Sequence, residues 1–149
     1  MFLAVNWALR NWERRHEALD ALGMARSLLA EELTANRAAV GTVLSALRGE
    51  GQPPVAVLMD GPPRIETSSW QLASDMPFFS RLPRDVFDAL VQSYSQCQML
   101  ARGDWYDRAK KAYISSSDRA LEDTVTDALP DFENAMRATE DALAKLEGT

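Results

Sequence analysis

Residues 3–48, LAVNWALRNWERRHEALDALGMARSLLAEELTANRAAVGTVLSALR, contain no proline and only two glycines, Gly23 and Gly41. A heptad reading places Val5, Trp12, Leu19, Arg26, Leu33, Val40 and Leu47 at one position. Ala8, Arg15, Leu22, Leu29, Asn36 and Val43 fall at its companion. Such a repeat predicts one continuous helix, which at 1.5 Å per residue spans about 70 Å. That length exceeds what a compact domain of this mass needs, so part of the helix is expected to project beyond the rest. The polar seam residues Arg15, Arg26 and Asn36 are expected to fix register or partner choice at some cost in stability.

Gly49-Glu50-Gly51-Gln52-Pro53-Pro54 ends the helix with glycines followed by prolines. Residues 49–66 therefore read as a Pro/Gly-rich linker. Within it, Val55-Ala56-Val57-Leu58-Met59 is a short apolar run with no strand-like partner elsewhere, read as extended chain lying over a bundle. Thr67 and Ser68 offer N-cap hydroxyls for a short helix that carries Trp70, Leu72 and Ala73 and stops before Pro77. A third helix starts at Leu82-Pro83 and keeps an apolar repeat to about Tyr113, with a bend expected at Gly103. The fourth follows Ser115-Ser116-Ser117-Asp118, and its apolar phase continues through Pro130. The fold class is all-α: one domain over 1–149, with a very long N-terminal helix, a linker, and one short and two long further helices in residues 67–149.

The chain of 149 residues is 46% hydrophobic and 26% charged, as globular domains are. Its net charge of −6 is concentrated at the end: residues 118–149 carry three basic groups against nine carboxylates, whereas residues 1–48 carry six arginines against five. No basic face suited to phosphate contacts emerges, and nucleic acid is not an expected partner. The one cysteine, Cys97, excludes an internal disulfide framework.

The first residues read differently from the rest. Phe2, Leu3, Val5, Trp7 and Leu9 run into Arg10, Trp12, Arg14 and Arg15, an apolar segment followed by aromatic and basic residues as at a membrane interface. The uncharged stretch ends at Leu9, far short of the about 20 residues a spanning helix requires. Nor does it fit a signal peptide, whose basic region precedes its apolar core. These nine residues are the expected interaction surface, toward a membrane protein or an anionic lipid surface, with packing against the bundle or a second copy as the competing reading.

Catalytic and ligand signatures are weak. Glu13 and His16 have the Glu-x-x-His spacing of carboxylate-bridged metal bundles, but the motif occurs once and His16 is the only histidine. Cys97 lies on an apolar stripe without an imidazole nearby in sequence, which favours a small buried hydrophobe over a nucleophile. Glu122-Asp123, Asp131 with Glu133, and Glu140-Asp141 lack the glycine turn of a calcium loop and read as a solvated face. Trp70, Phe78, Phe79, Trp105 and Tyr106 read as core beneath the linker. No metal, cofactor or catalytic residue is assigned.

Asn11-Trp12-Glu13-Arg14-Arg15, Glu31-Glu32-Leu33-Thr34-Ala35-Asn36-Arg37, Ser69-Trp70-Gln71-Leu72-Ala73, and Leu82-Pro83 with Leu90 and Tyr94 resemble a group of uncharacterised bacterial proteins. Members carry one N-terminal membrane helix, a Trp-x-Glu-Arg-Arg collar and a long charged helix ending in Ala-Asn-Arg. The resemblance covers about the first two thirds of the chain and brings no activity with it. It implies a membrane-anchored helical protein, and this sequence departs from it in keeping only Phe2 to Leu9 of the membrane helix. The expectation is a non-enzymatic interaction or accessory subunit at the cytoplasmic face of the inner membrane, or in the cytoplasm. Two alternatives stand beside it: a sensing or catalytic bundle with a pocket near Trp70, Trp105 and Tyr106, and a soluble homo-oligomer paired through the first helix.

Overall fold

The computed structural model describes residues 2–51, 56, 59–75, 77–115 and 118–148, with side chains from residue 4 onward. Helix α1 spans Phe2–Leu47, the short α2 Ser68–Ser74, α3 Arg84–Ala101, α4 Asp104–Ile114 and α5 Asp118–Glu147. A single 3-10 turn, Phe79–Arg81, precedes α3. No strand occurs among the described residues.

Helix α5 is the centre of the bundle. Its apolar stripe, Ala128, Phe132, Ala135, Ala142, Leu143 and Leu146, is buried, and α1, α3 and α4 all pack on it. Pairing of Ala25, Leu29 and Leu33 with Ala142 to Leu146, and of Val40 to Ala46 with Ala128 to Ala135, runs α1 antiparallel to α5. Pro130 interrupts neither the helix nor the stripe, because it is exposed and the carbonyl left without its N–H belongs to the equally exposed Thr126.

Helix α1 ends as expected from Gly49. At φ 75°, that residue directs Glu50 N to Ser45 O at 2.8 Å and its own N to Ala46 O at 3.1 Å, the two bonds of a Schellman motif. The bend at Gly103 is a complete break: φ is 79°, a left-handed backbone that ends α3 and opens α4. Trp105 Nε1 donates to Leu100 O at 3.2 Å and ties the two helices together across it.

Two expectations need correction. The run at Val55–Met59 is not extended chain over the bundle, since Ala56 and Met59 are helical and Met59 is exposed; Val55, Val57 and Leu58 lie outside the described residues. Neither Thr67 nor Ser68 caps α2 with its hydroxyl. The cap comes instead from Glu32, on α1.

Its buried carboxylate accepts Ser69 N at 2.7 Å, Trp70 N at 3.1 Å, Ser68 Oγ at 3.3 Å and the Tyr94 hydroxyl at 2.7 Å. One turn later, Asn36 accepts Glu66 N at 2.8 Å and donates to Glu66 O at 2.9 Å. Glu32 and Asn36 together form a latch that holds residues 66–70 against α1. The negative charge sits at the N-terminus of α2, where the helix dipole favours it. Asn36 thus fixes register as a seam polar residue can, but within one chain.

A second buried polar group lies between α3 and α5. Thr139 Oγ1 donates to Ala135 O at 2.8 Å, so the 2.9 Å contact with Ser93 Oγ has Ser93 as donor, and Cys97 Sγ lies 3.5 Å from the same oxygen. Burial pushes the Cys97 thiol above its ordinary value. Burial, followed by the hydrogen bond and charge of Glu32, raises the Tyr94 phenol strongly.

Both shifts have one sign. The folded state holds its protons to higher pH than the unfolded chain, so the stabilisation is complete below the ordinary thiol value of 9.0 and is lost as pH rises beyond it, with the phenol adding its share above 10.0. Urea unfolding at rising pH should show a decline of up to about 1.4 kcal/mol per pH unit for each group. Cys97→Ala should lose less stability than the parent between pH 8 and 10, and equal losses would assign the alkaline decline to other groups.

Candidate functional site

The bundle begins to cover α1 only near Ala21 and Leu22, and the residues from Ala4 to Asp20 are exposed but for partial cover at Asn11 and Ala18. This is the expected projection, an arm of about 25 Å at 1.5 Å per residue. It carries Val5, Trp7, Leu9, Trp12 and Leu19 at 56%, 70%, 51%, 58% and 61% exposure. Large apolar groups at that density are unusual on a surface that has no partner. Arg10, Arg14 and Arg15 are exposed as well, and no intrachain ion pair among the described residues holds them.

Seven of the nine expected interaction residues therefore lie uncovered on one projecting helix; the side chains of Phe2 and Leu3 lie outside the described residues. They do not share one face. At 3.6 residues per turn, Trp7, Arg10 and Arg14 form one stripe, while Val5, Leu9 and Trp12 form another about 170° away. Leu19, which already stood in the heptad reading, and His16, which was not singled out for interaction from sequence, extend the second stripe. Their signal was present in the four-three spacing of Val5, Leu9, Trp12, His16 and Leu19. Arg15 stands between the two stripes.

His16 stacks on Trp12, with ring centroids 4.3 Å apart and planes inclined by 29°. Among the described residues, no group of three or more His, Cys, Asp or Glu side chains gathers into a metal-binding cluster. Glu122, Asp123, Asp131, Glu140 and Asp141 are exposed along α5, and Glu133 is half-buried. Glu140 and Glu133 pair with Arg37 and Arg48 of α1 at 3.4 and 3.2 Å, surface contacts worth about 0–1 kcal/mol each.

The aromatic residues separate into two clusters. Trp70 stacks on Tyr94 at 4.6 Å and touches Phe79 at 4.9 Å beside the latch. Trp105 meets Phe132 edge to face at 4.9 Å in the other half of the core. Among the described residues, Trp70 packs against one half of the core and Trp105 lies in the other. A groove does run between α1 and α5, lined by Arg37, Gly41, Arg48, Met136 and Glu140, on a different face. No described helix is long and apolar enough to cross a membrane. Comparison of the chain with protein-family models, with curated proteins and with solved structures finds no match in any of the three.

Proposed function

We propose that the protein is a non-enzymatic attachment subunit that docks through the arm of α1 onto an anionic membrane surface, at the cytoplasmic face. The observation that carries this reading is the stripe of Trp7, Arg10 and Arg14, uncovered on a helix segment that the bundle does not use. An indole sits at the headgroup level with its ring in apolar surroundings, and the guanidinium groups reach anionic lipid from the same side. The acid-rich α5 lies in the bundle, where it remains in solvent while the arm engages.

Each basic residue near such a surface contributes about 1 kcal/mol. Arg10→Ala with Arg14→Ala should therefore weaken binding to vesicles containing phosphatidylserine by about 25-fold, and added salt should weaken the parent. Flotation with anionic and with neutral vesicles reads this directly. Parent protein that stays at the bottom of the gradient with both would remove the lipid reading.

A further inference from the structure

We propose that the second stripe of the arm, Val5, Leu9, Trp12, His16 and Leu19, is the seam of a short parallel coiled coil formed with the same segment of a second copy of this chain. The spacing of four, three, four and three identifies the occupant. A stripe facing lipid or a domain core follows the 3.6 period of the helix and broadens to 100° or more, whereas a narrow 3.5-period seam fits another helix. The next seam position is Gly23, where a Cβ would meet nothing within 4 Å, and there the bundle takes over α1. The seam thus occupies only the projecting part.

Charge complementarity supplies the orientation. With Leu9 and His16 at position a and Val5, Trp12 and Leu19 at position d, the flanking e positions are Asn6, Glu13 and Asp20, and the g positions are Ala8, Arg15 and Leu22. Parallel pairing brings Arg15 at g beside Asp20 at the following e of the other copy, twice by symmetry. Antiparallel pairing sets the acidic e positions against each other. Neither Arg15 nor Asp20 has an ion-pair partner among the described residues of its own chain. The acidic flank also opposes approach of this face to anionic lipid. Because the helix is already formed and held by the bundle, pairing does not bear the cost of nucleating it. The paired arms turn both Trp7, Arg10 and Arg14 stripes outward, so the inference does not depend on whether that stripe meets lipid.

Sedimentation of the full chain without lipid should show a reversible, concentration-dependent dimer. Trp12→Asp with Leu19→Asp should weaken it at least tenfold, an effect of about 1.4 kcal/mol or more, with an unchanged melting temperature because both side chains are exposed. His16→Leu should tighten it, since a polar group then leaves the seam. Arg15→Asp and Asp20→Arg should each weaken it, and the two combined should restore it. Mild oxidation of Leu19→Cys by oxidised glutathione should join two chains at that position, while buried Cys97 stays reduced. A parent chain monomeric at the highest attainable concentration overturns the proposal. So does cross-linking through Trp12→Cys but not Leu19→Cys, which is the signature of antiparallel pairing. Loss of vesicle binding on Trp12→Asp with Leu19→Asp, where the parent itself sediments as a monomer, assigns the seam to lipid and also overturns it.

Discussion

Glu32→Ala is expected to lower stability by about 3 kcal/mol, because it leaves donors that Glu32 satisfies without a partner in the interior. The Ser69 and Trp70 amides and the Tyr94 hydroxyl all converge on that carboxylate, and alanine supplies no acceptor. For a chain of this size the loss corresponds to roughly 6–12 °C in melting temperature. Glu32→Gln should lie between, since one oxygen still accepts while the other is replaced by an amide that meets Ser69 N–H with a second donor. The effect should be larger than that of either exposed ion pair, Arg37–Glu140 or Arg48–Glu133. Thermal unfolding followed by circular dichroism measures all three. A Glu32→Ala protein as stable as the parent would mean that the latch contributes nothing to the folded state.

Phe132→Ala should cost about 3–5 kcal/mol, or roughly 8–15 °C. Phe132 is fully buried and fills the space between Val40, Val43 and Leu44 of α1, Leu100 of α3 and Trp105 of α4. Its ring is the edge-to-face partner of Trp105, and α4 has its main packing on α5. Removing it therefore loosens α4 as well as opening a cavity. Hydrogen exchange should show residues 104–114 losing protection before α1 and α3 do, whereas Phe132→Leu, which keeps most of the volume, should cost about 1.5 kcal/mol or less. Uniform loss of protection across all helices would contradict this local weakness.

The long helices were legible because their signals are local and repeated. Absence of proline from Leu3 to Arg48, the glycine stop at Gly49 and the stripe that survives Pro130 each state a helix within a few turns of chain. The projection was legible from length alone. The latch was not: Glu32 meets partners 36 to 62 residues away, half of them through backbone N–H groups, and nothing in residue type announces a carboxylate as the cap of a distant helix. At Gly103 the apolar repeat continues on both sides, so periodicity carried through a point where the backbone turns left-handed. The aromatic residues looked like one group because only composition, and not partition between two halves of the core, can be read from their spacing.

The exposed residues of the arm were legible as a set but not as two faces. Apolar, aromatic and basic residues between positions 2 and 15 mark a surface segment in any order; only helical phase shows that Trp7, Arg10 and Arg14 oppose Val5, Leu9 and Trp12. The two proposals, a lipid surface for one stripe and a second copy for the other, both rest on this division. It also explains why the first helix as a whole has little amphipathic character: its lower half buries one face, and its upper half exposes Val5, Leu9, Trp12 and Leu19 on another.

Hydrogen exchange resolved along α1, with and without vesicles containing phosphatidylserine, tests the arm most directly. In solution at low concentration, residues 4–20 should exchange far faster than residues 25–47, whose helix is held by the core. Anionic vesicles should slow exchange in the arm alone, and neutral vesicles should leave it nearly unchanged. An arm whose protection is the same with and without anionic vesicles, in a protein whose bundle is intact, would contradict attachment through this segment.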